Sequence, residues 1–506
     1  MIKIIDDFLN QITMYRLVLY VLITLIIIAI LFSFLGILPF NGLSLLLSTL
    51  FLVVVCYLTN RVFSSFFAAP TNIESNYITA LILALIITPI KNINDIPFLF
   101  WAGVLAIASK YILAINKKHI FNPAALAVSI TALTINQSAS WWIGSSSMMI
   151  FVLIAGLLIV RKIERSPMVA AFLITAVASI ALYTVMQLSN PSDLILRILL
   201  DTPLLFFAFI MLTEPLTTPP KSKLRLSYGI LVGLLFNPRL HLGLFYITPE
   251  IALLVGNLFS YFVSPKQRLV LAIKEKINYS LDIYDFVFPK TSKINYLPGQ
   301  YMEWTLAHQG TDSRGNRRYF TLASSPTEDN LRIGVRFDNP SSSYKRALKN
   351  FSSNDKIVAS QLAGDFTLPK DPNKKLVFIA GGIGITPFRS MIKYLLDINK
   401  ERQITLFYSN KYINEIVYRD IFTAAGKLLH IKTIYTLTDQ DKIPSSWTGR
   451  IGRINEQMII KEVPDFKERV YYISGTHNMV TYFKDILKKM GIDKNQIRSD
   501  FFPGYT

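Results

Sequence analysis

Long apolar runs fill the first half of this chain, and they constrain its fold more than any other feature. The run at residues 15–38 is long enough to cross a bilayer, whose hydrocarbon core requires about 20 helical residues. Further runs follow up to residue 264, and several are short enough to be broken or tilted helices. The sequence therefore predicts a polytopic α-helical membrane domain over residues 1–264, with about ten segments that could form two inverted repeats. The predicted segments are 14–36, 42–58, 76–90, 96–115, 121–136, 146–160, 168–187, 193–212, 227–238 and 246–263.

Basic residues alternate between the loops of these segments. If the N-terminus is cytoplasmic, nearly all of them lie in inner loops, as the positive-inside rule requires. This alternation predicts an integral protein of a bacterial inner membrane, in contact with membrane lipids, whose C-terminal half is also cytoplasmic. The inner-loop residues are Arg61, Lys117, Lys118, Arg161, Lys162, Arg165, Lys221, Lys223 and Arg225.

The amino-acid composition limits the cofactor sites and ligands that this chain can have. A mean hydropathy of +0.39 is too high for an ordinary soluble protein. Cys56 is the single cysteine, so an intrachain disulfide and a four-cysteine iron–sulfur cluster are both excluded. The formal net charge of +19 suits an anionic nucleotide or an anionic membrane surface. We predict no metal site and no nucleic-acid partner.

Three polar stretches interrupt the apolar pattern, at residues 75–89, 119–130 and 211–220. In the last two, Asn122-Pro123 and Glu214-Pro215 would break a helix and free backbone groups. Inside a membrane, such breaks are tolerated only within protein or beside a cavity or ligand. Asn122 and Glu214 are therefore candidate membrane-site residues, although the stretches could equally be helix ends at the interface.

Taken together, these stretches resemble the RnfD-like family of flavin-bearing membrane proteins, found in the Rnf electron-transport complex and in the related sodium-pumping NADH:quinone reductase. The resemblance implies a flavin-bearing domain that passes electrons through the membrane. Members of that family attach FMN to a threonine of a Ser-Gly-Ala-Thr element, which does not occur in this chain. We therefore expect any second flavin in the membrane domain to be non-covalent.

After residue 264 the pattern changes to alternating strands such as "YLPGQYMEW" and "LRIGVRF", which predict an antiparallel β-barrel over residues 265–371. Residues 372–506 are predicted to form an α/β Rossmann-like domain. Within it, "VFIAGGIGITPFRSMI" reads as a strand ending at Ala380, a glycine turn and a helix starting near Pro387. Such a turn lets backbone N–H groups approach a phosphate. The candidate nucleotide-binding residues are Gly381, Gly382, Gly384 and Thr386.

The element "RYFTLASSP" at residues 318–326, followed by "SSSYKRAL" and the glycine turn, resembles the ferredoxin–NADP reductase superfamily. The resemblance implies FAD as cofactor and NAD(P)H as cosubstrate. Carried over by position, Arg318 meets the flavin phosphates, Phe320 packs on the isoalloxazine and Thr321 faces its N5 edge. Ser343 falls in a second phosphate-contacting segment. The stretch "YYISGTHNMV" resembles the superfamily's Cys-Gly-Pro segment beside the nicotinamide, with Ser474 in place of the cysteine, Gly475 as the glycine and Thr476 in place of the proline. The resemblance makes Thr321 and Ser474 the candidate catalytic residues.

The leading hypothesis is a membrane oxidoreductase in which NAD(P)H reduces FAD and electrons leave to an unknown acceptor: a second flavin, a quinone or a partner redox protein. One alternative is a haem-bearing transmembrane reductase, for which the membrane half offers only His119 and His241. Another is a redox-gated transporter or channel, with Asp201 and Glu214 as candidate ion ligands.

Overall fold

The computed structural model divides into two compact units, Met1–Lys266 and Gln267–Thr506. It describes the 506-residue chain except for residues 1–4, 6–8, 10–11, 68–72, 116–117, 186–201, 244, 265–268, 291–293, 313–314, 354 and 502–506. Asp201, Lys117 and the first part of the predicted segment at 193–212 thus lie outside the described residues.

The first unit is helical, as predicted, and each predicted apolar segment contains a helix. The long ones are α1 (Met14–Phe34), α2 (Gly42–Phe66), α3 (Ile73–Ile86), α4 (Ile96–Ile112), α5 (Pro123–Thr134), α6 (Ser146–Ile163), α7 (Ser166–Val185), α8 (Ser222–Leu235) and α9 (Pro249–Val263). Four stretches of the described residues are long and apolar enough to cross a membrane: Met14–Phe34, Gly42–Phe66, Ile93–Ile112 and Ser146–Ile163. The remaining helices are not among these four candidate spans, so ten spans remain a prediction.

Local chemistry explains where helix α5 begins. The Asn122 side chain accepts a hydrogen bond from the Ala125 N–H, and Pro123 occupies the first turn of α5. Both features favour a helix start at this point. A short helix at Leu204–Phe206 continues as a π-helical turn, Phe207–Met211, and ends just before Glu214. π-Helical turns concentrate at functional sites, so this region is a candidate for one.

The second unit begins with two antiparallel sheets. The first contains, in order across the sheet, β6 (Asn330–Arg336), β3 (Ile283–Pro289) and β2 (Glu275–Ser280). The second contains β1 (Leu269–Ala272), β7 (Lys356–Ala363), β4 (Tyr301–Thr305) and β5 (Arg317–Thr321). Their inward faces share one core, which includes Phe286, Met302, Trp304, Ile333 and Ile357. The described strands therefore form two sheets around one core, and closure into a barrel remains a prediction. A short helix, α10 (Ser343–Lys349), precedes β7.

A six-stranded parallel sheet follows, and helices connect its strands. In order across the sheet, the strands are β11 (Arg450–Ile451), β10 (Lys432–Leu437), β9 (Ile404–Asn410), β8 (Leu376–Gly381), β12 (Val470–Gly475) and β13 (Ile497–Phe501). This confirms the predicted α/β domain. Its helices are α11 (Thr386–Asp397), α12 (Arg419–Leu428), α13 (Glu456–Glu462) and α14 (His477–Lys489).

Candidate functional site

The strand order of the parallel sheet locates its binding crevice. The chain winds outward from β8 through β9 to β11, then returns to place β12 on the other side of β8. Ligands of open parallel sheets bind at such a reversal, outside the carboxyl ends of the two strands. Here those ends carry Gly381 on β8 and Ser474 with Gly475 on β12. The reversal thus brings the two predicted nucleotide-binding elements together.

The glycine turn requires glycine for two distinct reasons. β8 ends at Gly381, a 3-10 turn covers Gly382–Ile385, and α11 begins at Thr386, within one residue of the prediction at each end. Gly382 has a φ of +53°, which side-chain-bearing residues rarely adopt. A Cβ on Gly384 would lie 2.4 Å from the carbonyl oxygen of Ser474. The turn can approach β12 this closely only because residue 384 has no side chain.

Thr321 and Ser474, the two candidate catalytic residues, share an unusual property. Thr321 is 2% exposed and Ser474 is 0% exposed. Among the described residues, neither hydroxyl oxygen has a hydrogen-bond partner. Leaving a buried hydroxyl unpaired costs about 1–3 kcal/mol, so such groups call for an explanation. A bound group that hydrogen-bonds both hydroxyls would provide one.

The other residues of the predicted flavin motif lie on or beside β5. The Arg318 guanidinium is partly exposed, donates to the Gly315 carbonyl at 3.2 Å and lies 5.0 Å from the centre of the Tyr344 ring. Phe320 is buried in the core between the two sheets, with its ring 6.1 Å from that of Tyr344. Its packing on a flavin ring remains a prediction, because the visible contacts of Phe320 are those of a core residue.

Two predicted phosphate contacts already have protein partners. The Ser343 hydroxyl accepts a hydrogen bond from the Asp312 N–H at 2.9 Å and lies 3.0 Å from Nε2 of His308. The Thr386 hydroxyl donates to the Ile383 carbonyl at 3.2 Å, within the glycine turn itself. These contacts hold both segments in place, so the phosphate-binding roles of Ser343 and Thr386 rest on the sequence prediction.

In the helical unit, the structure brings the two predicted membrane-site residues into direct contact. The Asn122 amide donates to Oε2 of Glu214 at 2.9 Å, and Nε2 of His119 lies 3.3 Å from Oε1. The Thr217 hydroxyl donates to the same carboxylate at 3.1 Å, and the Asn122 N–H donates to the Asn257 side chain at 2.8 Å. Two of the three polar stretches therefore meet in one partly buried cluster.

Sequence reasoning missed an ion pair behind the glycine turn. The guanidinium of Arg389, in α11, makes two hydrogen bonds to the Glu328 carboxylate, at 2.7 and 2.9 Å. Burial alone would raise the pKa of Glu328, but the hydrogen bonds and charge of Arg389 outweigh burial and lower it. No motif marks this pair, because its two residues are 61 positions apart and each resembles an ordinary surface charge.

Comparison with known proteins agrees with this geometry. Residues 378–485 match the family model described as the oxidoreductase NAD-binding domain. The matched range contains the whole glycine turn and Ser474.

Two curated relatives and one solved structure illustrate the similarity. The reductase subunit of stachydrine N-demethylase from Rhizobium meliloti (strain 1021) is 26% identical over 228 residues, covering 44% of this chain and 64% of the relative. The flavohemoprotein of Bacillus subtilis (strain 168) is 28% identical over 238 residues, covering 46% of this chain and 58% of the relative. The FAD/NAD-binding domain of nitric oxide dioxygenase from Vibrio cholerae is 21% identical, with a TM-score of 0.41, and covers 46% of this chain and 98% of that domain.

The chain thus spans less than two thirds of the length of these curated relatives. The family match and the reductase relative confirm the prediction of an NAD(P)H-dependent FAD oxidoreductase module in this chain.

Proposed function

We propose that this chain is a membrane flavoprotein oxidoreductase that takes a hydride from NAD(P)H to FAD and passes electrons into or across its helical unit. The observation that carries the proposal is the pair of buried hydroxyls of Thr321 and Ser474, neither of which has a protein partner among the described residues. Thr321 is the last residue of β5 and Ser474 the next-to-last residue of β12, the positions expected for the flavin and nicotinamide edges.

The residues of this unit fit both cofactors. FAD, when bound, supplies the conversion of a two-electron hydride into single electrons. Arg318 would provide positive charge for its phosphates, and the Thr321 hydroxyl would hydrogen-bond the edge of its ring. The glycine turn would hold the pyrophosphate of NAD(P)H at the start of α11. Its glycines carry no side chains that would keep a phosphate away from the backbone N–H groups. Ser474 would orient the nicotinamide from the neighbouring strand end.

The proposed exit route for the electrons is the helical unit, and the acceptor is a second non-covalent flavin, a quinone or a partner redox protein. Two features support this route: the long apolar helices, and the cluster of His119, Asn122 and Glu214. Ionisable side chains inside a membrane domain are costly and mark functional sites. The first relative is named a reductase subunit, which favours a partner protein among the three acceptors.

Purification of the full chain in detergent tests the proposal. We expect about one FAD or more per chain, a flavin absorbance that bleaches on anaerobic addition of NADH or NADPH, and recovery in a carbonate-washed membrane fraction. A chain that stays colourless after incubation with FAD would overturn the proposed activity. A haem Soret band would favour the haem-bearing alternative, and recovery in the soluble fraction would overturn the membrane assignment.

A further inference from the structure

Helix α11 is tied at its first turns to the segment that leaves the predicted flavin strand. Arg389 lies three residues after Thr386 and is only 3% exposed. Its Nη1 donates to the carbonyl of Ala323 at 2.7 Å, and both of its terminal nitrogens bind Glu328. Ala323 follows Thr321 by two residues. One side chain therefore connects the helix behind the glycine turn to the backbone beside a candidate catalytic hydroxyl.

A second contact runs parallel to the first. The Ser390 hydroxyl, fully buried, donates to the carbonyl of Ser324 at 2.6 Å. The Glu328 carboxylate also accepts the Ser325 N–H at 2.5 Å, which closes a turn around the bound guanidinium. Consecutive carbonyls at Ala323 and Ser324 are thus both bound by α11. We call Arg389, Ser390, Glu328 and these two carbonyls the α11 clamp.

Packing around Arg389 restricts its movement further. The guanidinium lies 5.3 Å from the centre of the Tyr418 ring, within the range of a cation–π contact. Tyr418 itself precedes α12, so the guanidinium is enclosed by the sheet segment on one side and by the α/β domain on the other. A planar guanidinium can make its two-point contact with Glu328 and still bind a carbonyl, whereas a lysine ammonium offers a single point of charge.

We propose that Arg389 is a positioning residue for hydride transfer: through the α11 clamp it sets the separation between the Thr321 hydroxyl and the glycine turn with Ser474. This inference rests on the proposed function, because it assigns a purpose to the distance between the predicted flavin and nicotinamide edges. Arg389 touches neither predicted cofactor position. It acts through the backbone of residues 322–326 on one side and through the first turn of α11 on the other.

The conservative variant Arg389→Lys tests this role in the full-length FAD-loaded protein. Since misplacement by about 1 Å can slow a reaction by up to about 100-fold, we expect anaerobic flavin reduction at saturating NADH or NADPH to slow by at least about tenfold. The KM for the nucleotide should stay within about twofold, because the binding turn keeps its residues. The matched control is Arg450→Lys, which alters another Arg–Glu pair of the same unit, with Glu462, and should reduce flavin at the wild-type rate.

Hydrogen–deuterium exchange gives a readout that does not depend on activity. The Ala323 and Ser325 amides are hydrogen-bonded in the clamp region, to the Arg332 carbonyl and to Glu328. In Arg389→Lys, and in Glu328→Gln, we expect these two amides to exchange at least about tenfold faster, while amides of β9 and β10 keep their wild-type rates.

The outcomes distinguish failure of the clamp from failure of the proposed function. If wild-type protein is reduced normally and Arg389→Lys matches it in both reduction rate and exchange, the clamp has no positioning role. If the reduction rate, the KM, the FAD content and the melting temperature all change together, Arg389 is merely structural and the inference is again overturned. A wild-type protein that binds FAD and is never reduced by either nucleotide overturns the proposed function instead.

Discussion

The phenol of Tyr418 donates a 2.6 Å hydrogen bond to Oδ1 of Asp285, a residue 133 positions earlier in the chain. Asp285 is fully buried, and burial raises the pKa of its carboxyl against the opposing charge of Arg332, which binds Oδ2 at 2.8 Å. The Tyr279 phenol donates to that same Oδ2 at 3.2 Å. A strand of the antiparallel sheets and the α/β domain are therefore joined through one buried carboxylate.

Removing one of the hydrogen-bond donors to the Asp285 carboxylate should weaken the contact between the antiparallel sheets and the α/β domain. In Tyr418→Phe, Oδ1 of Asp285 loses its phenol donor inside the protein, and we expect the C-terminal unit to lose about 1–3 kcal/mol of stability. This loss of stability can be measured by thermal unfolding of the purified chain, with flavin release as the signal. Tyr482→Phe serves as the control, since Tyr482 is 46% exposed, and an equal effect of both variants would contradict the prediction.

Ser474→Ala should separate stability from activity. Because the Ser474 hydroxyl has no protein partner among the described residues, its removal leaves no unpaired group behind. We expect the cofactor-free protein to be unchanged in stability or more stable by up to about 1 kcal/mol, as its melting temperature reports. Flavin reduction by NAD(P)H should slow by about tenfold or more, equivalent to about 1.4 kcal/mol in the barrier. Thr321→Val should behave in the same way. A drop in melting temperature without a change in rate would show that these hydroxyls are structural.

Two glycine-to-alanine substitutions should have opposite effects on the stability of the protein. In Gly384→Ala the new Cβ would lie 2.4 Å from the Ser474 carbonyl oxygen, so the glycine turn must move. We expect a loss of about 1–3 kcal/mol and nucleotide binding weakened by about tenfold or more. In Gly426→Ala, within α12, the Cβ would meet the Ile431 carbonyl at an ordinary 3.5 Å, and helix propensity should add about 0.5–1 kcal/mol. Melting temperatures and NADH titrations test both expectations, and a neutral Gly384→Ala would contradict the first.

Asn122 should contribute separately to the stability of helix α5 and to electron transfer from the reduced protein. Its Oδ1 accepts the Ala125 N–H at the start of α5, while its Nδ2 donates to Glu214. Asn122→Ser keeps a capping oxygen and loses the amide donor, whereas Asn122→Ala loses both. We therefore expect Ala to be less stable than Ser by about 1 kcal/mol in detergent. Both should slow reoxidation of the reduced protein by an added quinone without slowing flavin reduction. Wild-type reoxidation rates in both variants would argue against a role for this cluster.

Acid should weaken a second ion cluster in the α/β domain. Nε of Arg469 lies 2.7 Å from Asp465, and Nζ of Lys375 lies 2.8 Å from it. Burial raises the pKa of the Asp465 carboxyl, but the hydrogen bonds from Arg469 and Lys375 outweigh burial and lower it to about 2. Its unfolded value is about 3.9, so the stabilisation is complete above pH of about 4 and is lost as the pH falls towards about 2. Asp465→Asn should remove this component from the stability–pH curve between those values, and an unchanged curve would contradict the prediction.

The sequence predicted what depends on local patterns. Apolar runs predicted the helical first unit, since burying or spanning apolar surface requires contiguous segments. The glycines of the turn between β8 and α11 predicted that turn to within a residue, because a positive φ at Gly382 and a close approach at Gly384 exclude other residues there. The order of motifs along the chain predicted strands first and an α/β domain second, and both are present.

Tertiary structure alone decided which distant residues meet. The sequence marked Asn122 and Glu214 as candidate site residues, but only the structure shows that they contact each other. That Arg389 binds Glu328 and that Tyr418 binds Asp285 could not be predicted, because isolated charges and phenols outside motifs leave no periodic signal. The same holds for the burial of the Thr321 and Ser474 hydroxyls, which depends on everything packed around them. Short-range conformational preferences are determined by neighbouring residues in the sequence. The pairing of polar groups across 61 to 133 positions emerges only when the apolar cores have closed around them.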